Sequence, residues 1–149
     1  MSYREGGKAV AKLSTTGREP GAASGTLGVA VISVAGRWLP ATLQAIAIFW
    51  FSHQPSPPGA DLGPDYMLHG VGYAALAALL VWGATDCLRR PITPSAAGWC
   101  WLAASLYGVL DEFHQSYVPG RSSTVSDVLA DAAGAAVAIL LALVLFRKR

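Results

Sequence analysis

The 149-residue chain has little charge: Asp, Glu, Lys and Arg make up 13% of it, against about 25% in an ordinary soluble domain. Hydrophobic residues make up 53%, and the mean hydropathy is +0.42. This composition excludes a disordered chain and argues against a soluble globular domain. A chain this short encloses too small a core to bury so much apolar surface, so the surplus is expected to face lipid. We therefore interpret the sequence as a small membrane protein with several spans.

Several sequence motifs are also missing. The two cysteines, Cys87 and Cys100, are too few for a disulfide framework, and no CxxC or Cys/His zinc spacing occurs. The glycines form no GxGxxG or GxxxxGK[ST] run, so a nucleotide-binding loop is not expected. The formal net charge of +2 is too small to indicate nucleic acid as a partner. No cofactor is predicted. The exception is a divalent metal, which residues other than these cysteines could bind.

Four apolar stretches dominate the rest of the sequence, separated by segments rich in Pro, Gly or charge. The later three have about the 20 residues that cross a bilayer as a helix. The first is shorter, unless the apolar residues 27–36 join it. The stretches are Trp38–Ser52, Tyr66–Ala84, Ala96–Gln115 and Ser123–Phe146.

These stretches predict an all-α integral membrane four-helix bundle, which forms one domain over residues 37–146. Residues 1–36 are expected to be a flexible basic segment, and residues 147–149 a basic tail. With four spans, both termini and the Asp86–Pro94 loop share one side of the membrane, and this side holds every Lys and Arg except Arg121. By the positive-inside rule that side is the cytoplasm.

Acidic residues collect at the opposite, outer ends of the predicted helices. Because ionisable residues in spans are costly, they are candidates for a functional site. Helical spacing places Asp65, His69 and Tyr73 on one stripe of the second helix. Asp127 follows Thr124 by three residues, which is typical of a capping box. A shared face is also predicted for Tyr107, Asp111, His114 and Gln115. Six of the nine acidic residues lie at these outer ends: Asp61, Asp65, Asp111, Glu112, Asp127 and Asp131.

One stretch of the sequence has a characteristic order of polar residues. Residues 107–121 read Tyr-Gly-Val-Leu-Asp-Glu-Phe-His-Gln-Ser-Tyr-Val-Pro-Gly-Arg, and Asp127 and Gly134 follow. Together with Phe-Ser-His-Gln-Pro at residues 51–55 and the stripe of the second helix, this pattern resembles the signature of VanZ-like membrane proteins. The resemblance extends over about residues 37–140.

The resemblance implies an architecture rather than a reaction. It implies a multi-pass membrane protein with an outward-facing polar site. Together with the charge bias, this leads us to expect a prokaryotic plasma membrane, with both termini in the cytoplasm. The family's name-giving member is linked to teicoplanin resistance, and no reaction is established for the family. Two positions depart from the family pattern: Tyr66 stands where Lys is frequent, and Asp131 where Asn is frequent.

The first functional hypothesis is a binding protein, with a possible link to teicoplanin resistance. Its pocket would receive an anionic lipid headgroup or a cell-envelope precursor. Arg121 and the N-terminus of the fourth helix would contact the anion. The predicted ligand-binding residues are Asp65, His69, Asp111, Glu112, Gln115, Arg121 and Asp127.

Two other hypotheses stay open, and the sequence does not decide whether the protein is an enzyme. One is a membrane-embedded hydrolase or transferase that acts on a lipid-linked envelope substrate, with or without a divalent metal. The other is a structural subunit that contacts an envelope complex, or a second copy, through the small-residue face of Gly134 and Ala138. The candidate catalytic residues, which are also the candidate metal ligands, are His69, Glu112, His114 and Asp127.

Overall fold

The computed structural model describes residues 20–58 and 63–146, and over these residues it is all-α, without a β-strand. The predicted class with four helices is therefore confirmed, and the last three helices begin and end within two residues of the predicted bounds. The predicted tail 147–149, Asp61 and residues 1–19 of the predicted flexible segment lie outside the described residues. The helices are α1 Pro20–Ser52, α2 Asp65–Ala84, α3 Pro94–Gln115 and α4 Val125–Phe146.

Helix α1 begins much earlier than the expected start near Trp38. Proline is well tolerated at the first position of a helix, where Pro20 lies, because no intrahelical partner exists there for the missing N–H. Residues 27–36 are mostly apolar and contain no proline, so nothing in them ends the helix. Residues 20–36 are therefore helical, although they were expected to be flexible. Pro40 lies inside α1. Because proline has no backbone N–H, the helical hydrogen bond to the Gly36 carbonyl is missing there.

The link between α2 and α3 is a tight reversal. Three consecutive residues after Thr85 have positive φ angles: Asp86 at 53°, Cys87 at 59° and Leu88 at 62°. The backbone N–H of Arg90 donates to the Thr85 carbonyl at 2.9 Å, which closes the turn. Helix α3 then starts at an N-cap, since the Thr93 hydroxyl accepts a hydrogen bond from the N–H of Ala96 at 3.2 Å.

The other three helices pack around α2, which contacts each of them and packs most extensively against α4. At the crossing of α2 and α4, Gly134 lies directly on the backbone of Gly70, and no room remains for a side chain. Ala138 packs against the core of the same molecule. One hypothesis assigned the seam of Gly134 and Ala138 to a partner surface; in the structure both residues make contacts within the chain. The buried core includes Tyr73, Leu76, Ala77, Ala104, Ala135 and Ile139.

Two of the helices, α2 and α4, are long and apolar enough to cross a membrane, among the described residues. The four predicted spans are thus supported for two helices. Arg37 and Gln44 interrupt the apolar sequence of α1, and α3 ends in the polar run from Asp111 to Gln115. These polar residues lower the hydropathy of α1 and α3, which explains why two helices are supported as spans where four were predicted.

The polarity of the bundle is inverted relative to that of a soluble protein. Carboxylates and amides are buried, whereas large apolar side chains of α1 and α3 are exposed. An exposed apolar surface of this extent marks a surface that contacts lipid or protein. Examples are Leu43, Ile46 and Trp50 on α1, and Leu106, Leu110 and Phe113 on α3.

Candidate functional site

Buried polar side chains collect at one end of the bundle, where α1 and α3 end and α2 and α4 begin. The loops at this end lie next to each other, with Gly120 beside Pro55. None of the side chains is more than 8% exposed, so each polar atom has to find its partner within the protein or in a ligand. We call the following seven residues the polar cluster: Ser52, His69, Asp111, Glu112, Gln115, Asp127 and Asp131.

Gln115 connects a carboxylate to the arginine of this end. Its Nε2 donates to Asp111 Oδ2 at 3.1 Å, and the same oxygen accepts a hydrogen bond from Ser52 Oγ at 2.7 Å. Its Oε1 accepts from Arg121 Nη2 at 2.7 Å and from Arg121 Nε at 3.1 Å. Arg121 Nη2 also lies 3.6 Å from Asp65 Oδ2. These contacts fix both the orientation of the Gln115 amide and the position of the guanidinium.

His69 lies between two carboxylates that belong to different helices. Its Nδ1 is 3.1 Å from Asp131 Oδ1 on α4 and 3.5 Å from Glu112 Oε1 on α3. A neutral imidazole that donates from Nδ1 to Asp131 keeps its lone pair on Nε2. Gly108 makes room for this arrangement, because a Cβ at that position would lie 2.7 Å from Asp131 Oδ2.

The start of α4 differs from the predicted capping box. The N–H of Thr124 donates to Glu112 Oε2 at 3.2 Å, so it is not available to Asp127. The Thr124 hydroxyl donates to Asp127 Oδ2 at 2.6 Å. The carboxylate of Asp127 thus binds the side chain of Thr124, and it also lies in the first turn of α4, where the helix dipole favours negative charge.

Several oxygens of the polar cluster have no hydrogen-bond partner among the described residues. They are Asp111 Oδ1, Glu112 Oε1 and Asp131 Oδ2. The hydroxyl of the buried Tyr73 also lacks a partner at hydrogen-bond distance, and it interacts with the nearby Asp111 carboxylate. Buried polar atoms in native proteins rarely stay without a partner, so each of these oxygens calls for a ligand or a proton. One ligand atom each of His69, Asp111 and Glu112 lies within 4.8 Å of the other two.

A cavity of about 310 Å³ opens beside the polar cluster between α1 and α2. Five polar residues line one end of it: Ser52, Asp65, His69, Asp111 and Arg121. Its apolar walls include Ile48, Leu68, Phe51 and Val71, and the last two are exposed, so the cavity reaches the outer surface of the helices. The cavity therefore combines a charged end with an apolar opening.

His114 lies apart from the polar cluster, although it was a candidate for catalysis and for metal binding. Its Nε2 is 3.2 Å from His53 Nδ1, and its ring lies 4.7 Å from that of Phe49. The buried arc of α3 includes Gly108, Asp111, Glu112 and Gln115, and helical geometry places residue 114 roughly 100° from the centre of that arc.

The other predicted ligand-binding residues are brought to this end of the bundle. Asp65 and Arg121 line the cavity with His69 and Asp111, while Glu112 and Gln115 contact these residues from behind. Asp127 belongs to the polar cluster but binds Thr124, and it is not part of the group with metal-ligand spacing.

Sequence reasoning did not include Ser52 in the candidate site, and it named Asp131 among the acidic residues without predicting its contact. Ser52 bonds to Asp111 across 59 positions of sequence, and Asp131 bonds to His69 across 62. Two signals were available in the sequence. Ser52 lies within the Phe-Ser-His-Gln-Pro stretch, and Asp131 lies one turn after Asp127.

Comparison with known proteins identifies one family. A family model described as VanZ/LLP1 matches residues 66–147, which is more than half of the chain. The match contains α3, α4 and nearly all of α2, and therefore His69, Asp111, Glu112, Arg121 and Asp131, but it does not reach Ser52 or Asp65. No curated protein and no solved structure matches the chain.

Proposed function

Because the chain belongs to the VanZ/LLP1 family, we propose that it is a multi-pass membrane protein whose cavity binds the phosphate group of a lipid. The single observation that carries this proposal is the cavity itself, which has an arginine at its polar end and apolar walls that open to the outer surface. A lipid has the same two parts, a charged headgroup and an apolar chain. The phosphate could belong to a membrane phospholipid or to a lipid-linked precursor of the cell envelope.

The proposal includes four membrane spans, with both termini in the cytoplasm of a prokaryotic cell. The inverted polarity of α1 and α3 supports two further spans, because their polar groups point inward while their large apolar side chains point outward. The bias of Lys and Arg supports the orientation. In this orientation the cavity opens on the outer side of the membrane.

Arg121 is the residue that would contact the phosphate. Its side chain is 9% exposed, and its Nε and Nη2 are engaged by Gln115. The guanidinium has five N–H donors, so it can bind an anion in addition to these partners. Ser52, which lines the same end of the cavity, adds a hydroxyl.

The test compares two arginines that each have one ion pair at 3.6 Å, Arg121 with Asp65 and Arg37 with Asp86 at the other end of the bundle. Binding of a short-chain phosphatidic acid to the detergent-purified chain is measured by calorimetry. We expect Arg121→Gln to weaken binding about ten- to hundredfold, as the loss of a charge-assisted hydrogen bond predicts, and Arg37→Gln to leave it unchanged. Equal affinity of the two variants, or equal binding of a short-chain diacylglycerol, which lacks the phosphate, would contradict the proposal.

The second candidate function is a membrane-embedded hydrolase or transferase acting on the same lipid phosphate. The observation that favours it is the position of His69 at the polar end of the cavity, which Arg121 also lines, with Asp131 orienting the imidazole. Release of inorganic phosphate from the lipid tests it. Activity that is lost in His69→Gln and kept in His114→Gln would support an enzyme.

A link to teicoplanin resistance stays a prediction for this chain. It is checked by expressing the wild type and Arg121→Gln in a susceptible host. We expect only the wild type to raise the inhibitory concentration of teicoplanin.

A further inference from the structure

The polar cluster contains a surplus of negative groups over positive ones. It contains four carboxylates, those of Asp111, Glu112, Asp127 and Asp131. Among the described residues, the basic side chain that contacts it is that of Arg121. Buried charges of one sign are costly without compensation, so a cation is the natural complement of this end of the bundle.

We propose that His69, Asp111 and Glu112 together bind one divalent metal ion of the Zn²⁺ or Mn²⁺ type. The three residues come from α2 and α3, are all buried, and offer ligand atoms within 4.8 Å of one another. In a tetrahedral site with bonds of about 2.1 Å the ligand atoms lie about 3.4 Å apart, so atoms within 4.8 Å of one another have to approach by up to about 1.4 Å to share one ion. One imidazole nitrogen and two carboxylate oxygens form a donor set that suits these ions.

The two carboxylates are each held on one oxygen and open on the other. Asp111 Oδ2 accepts hydrogen bonds from Ser52 and Gln115, whereas Asp111 Oδ1 has no partner within the described residues. Glu112 Oε2 accepts from the N–H of Thr124, whereas Glu112 Oε1 has no hydrogen-bond partner in the same part of the chain. Both residues are more than nine-tenths buried. This pattern is independent of the clustering and is what metal ligands require: the protein orients the group and leaves one atom to coordinate.

Asp131 sets the orientation of the His69 ring, which is the nitrogen donor of the proposed site. Its Nδ1 is 3.1 Å from Asp131 Oδ1, and a histidine that donates its N–H to a carboxylate presents the other nitrogen to a metal in a fixed orientation. Asp131 is not part of the group with metal-ligand spacing, so we assign it as a positioning residue rather than a ligand. The ligand set differs from the predicted one, since Asp111 takes the place of His114 and Asp127.

Three protein ligands leave at least one coordination position, which is typical of catalytic rather than structural zinc sites. His69 and Asp111 both line the cavity, so the open position faces it. The metal site goes beyond the proposed lipid binding and does not require it. Where both hold, a phosphate oxygen of the lipid would complete the coordination.

The first experiment measures metal content without any lipid, so its outcome is separate from that of the lipid-binding test. The full chain, purified in detergent without a polyhistidine tag, is stripped with a chelator, dialysed against Zn²⁺ or Mn²⁺, and analysed by mass spectrometry of the elements. We expect one ion per chain in the wild type and in His114→Gln, and at least a tenfold loss of affinity in His69→Gln, Asp111→Asn and Glu112→Gln. We expect Asp131→Asn to weaken binding about 10- to 100-fold. A wild type without either metal, or full occupancy in His69→Gln, would overturn the proposal.

A second experiment does not depend on whether the ligand variants fold. The chain has three histidines, and the double variant His53→Gln/His114→Gln leaves His69 as the only imidazole. It also removes an exposed pair of imidazoles that could bind metal adventitiously. Pulsed electron paramagnetic resonance of the Mn²⁺-loaded double variant should show coupling to one imidazole nitrogen. Bound Mn²⁺ without nitrogen coupling would overturn the assignment of His69.

Discussion

The arrangement of the polar cluster depends on the space available to each side chain as well as on charge. The side chain of Asp131 on α4 reaches His69 on α2 by passing over Gly108 of α3. A Cβ on Gly108 would lie 3.0 Å from the Cβ of Asp131 and even closer to its carboxylate. The absence of a side chain at position 108 is thus a condition for the carboxylate that orients His69.

Gly108→Ala should therefore disturb the polar cluster without changing any charge. We expect it to lower the free energy of unfolding in detergent by about 1–3 kcal/mol, as overpacking of a close contact does. It should also weaken Mn²⁺ binding. Both are measured on the purified protein, by thermal unfolding and by metal titration.

The control for this variant lies in the same helix. Gly98 is exposed and has nothing within 4 Å of an added Cβ, so Gly98→Ala should raise stability by up to about 1 kcal/mol through better helix propensity. Similar effects of the two substitutions would show that the contact with Asp131 is unimportant.

The residue types of the site could be predicted from the sequence, but their pairing could not. Helical spacing correctly grouped Asp111 with Gln115, because that grouping needs only the geometry of one helix. It also placed His114 on their face, because spacing alone does not say which part of a helix turns inward. The contacts of Ser52 and Asp131 cross helices, so only the packing of α1, α2, α3 and α4 reveals them.

At the scale of whole helices, α2 and α4 form the tightest contact of the bundle. Gly134 lies on the carbonyl group of Gly70, and backbone atoms cannot move aside as a flexible side chain can. The close approach of these two helices brings Asp131, one turn before Gly134, within reach of His69, which is next to Gly70. The crossing and the site therefore depend on each other.

We expect Gly134→Leu to lower the free energy of unfolding by about 3 kcal/mol or more, or to prevent folding. Gly98→Leu, at an open and exposed position, serves as the control for adding a leucine to a helix. Thermal unfolding and size-exclusion chromatography measure stability and oligomeric state together. If Gly134→Leu kept the stability and only dissociated an oligomer, the glycine would belong to a partner surface instead.

The bounds of the helices were predictable wherever the sequence contains a strong end signal. Helix α3 starts at Thr93-Pro94 and α2 begins directly after Pro64, and both signals are visible in the sequence. Helix α1 lacks such a signal between residues 20 and 38. Polar residues interrupt its apolar sequence, so the predicted apolar stretch was shorter than the helix. The late predicted start came from keeping Arg37 outside the span, because a charged residue inside a span is costly, whereas the helix continues through Arg37.

The orientation of the whole molecule is testable at its two ends. The chain has a reporter at one end, Cys87 in the α2–α3 turn, and Ser122→Cys would add one to the exposed loop at the other end. In a Cys100→Ala background, we expect a membrane-impermeant maleimide to label position 122 in intact cells. Cys87 should react only after permeabilisation. The reverse pattern would place the cavity on the cytoplasmic side and contradict the proposed topology.

The left-handed turn from Asp86 to Leu88 has a practical consequence for anyone who engineers this protein. Side chains other than glycine adopt this conformation at a cost of about 1 kcal/mol or more each. Asp86 is 3.6 Å from Arg37, and Leu88 packs on the core, so Cys87 is the position where a glycine removes the least. Thermostabilisation for crystallography can therefore begin in this turn, far from the cavity whose chemistry one wishes to preserve.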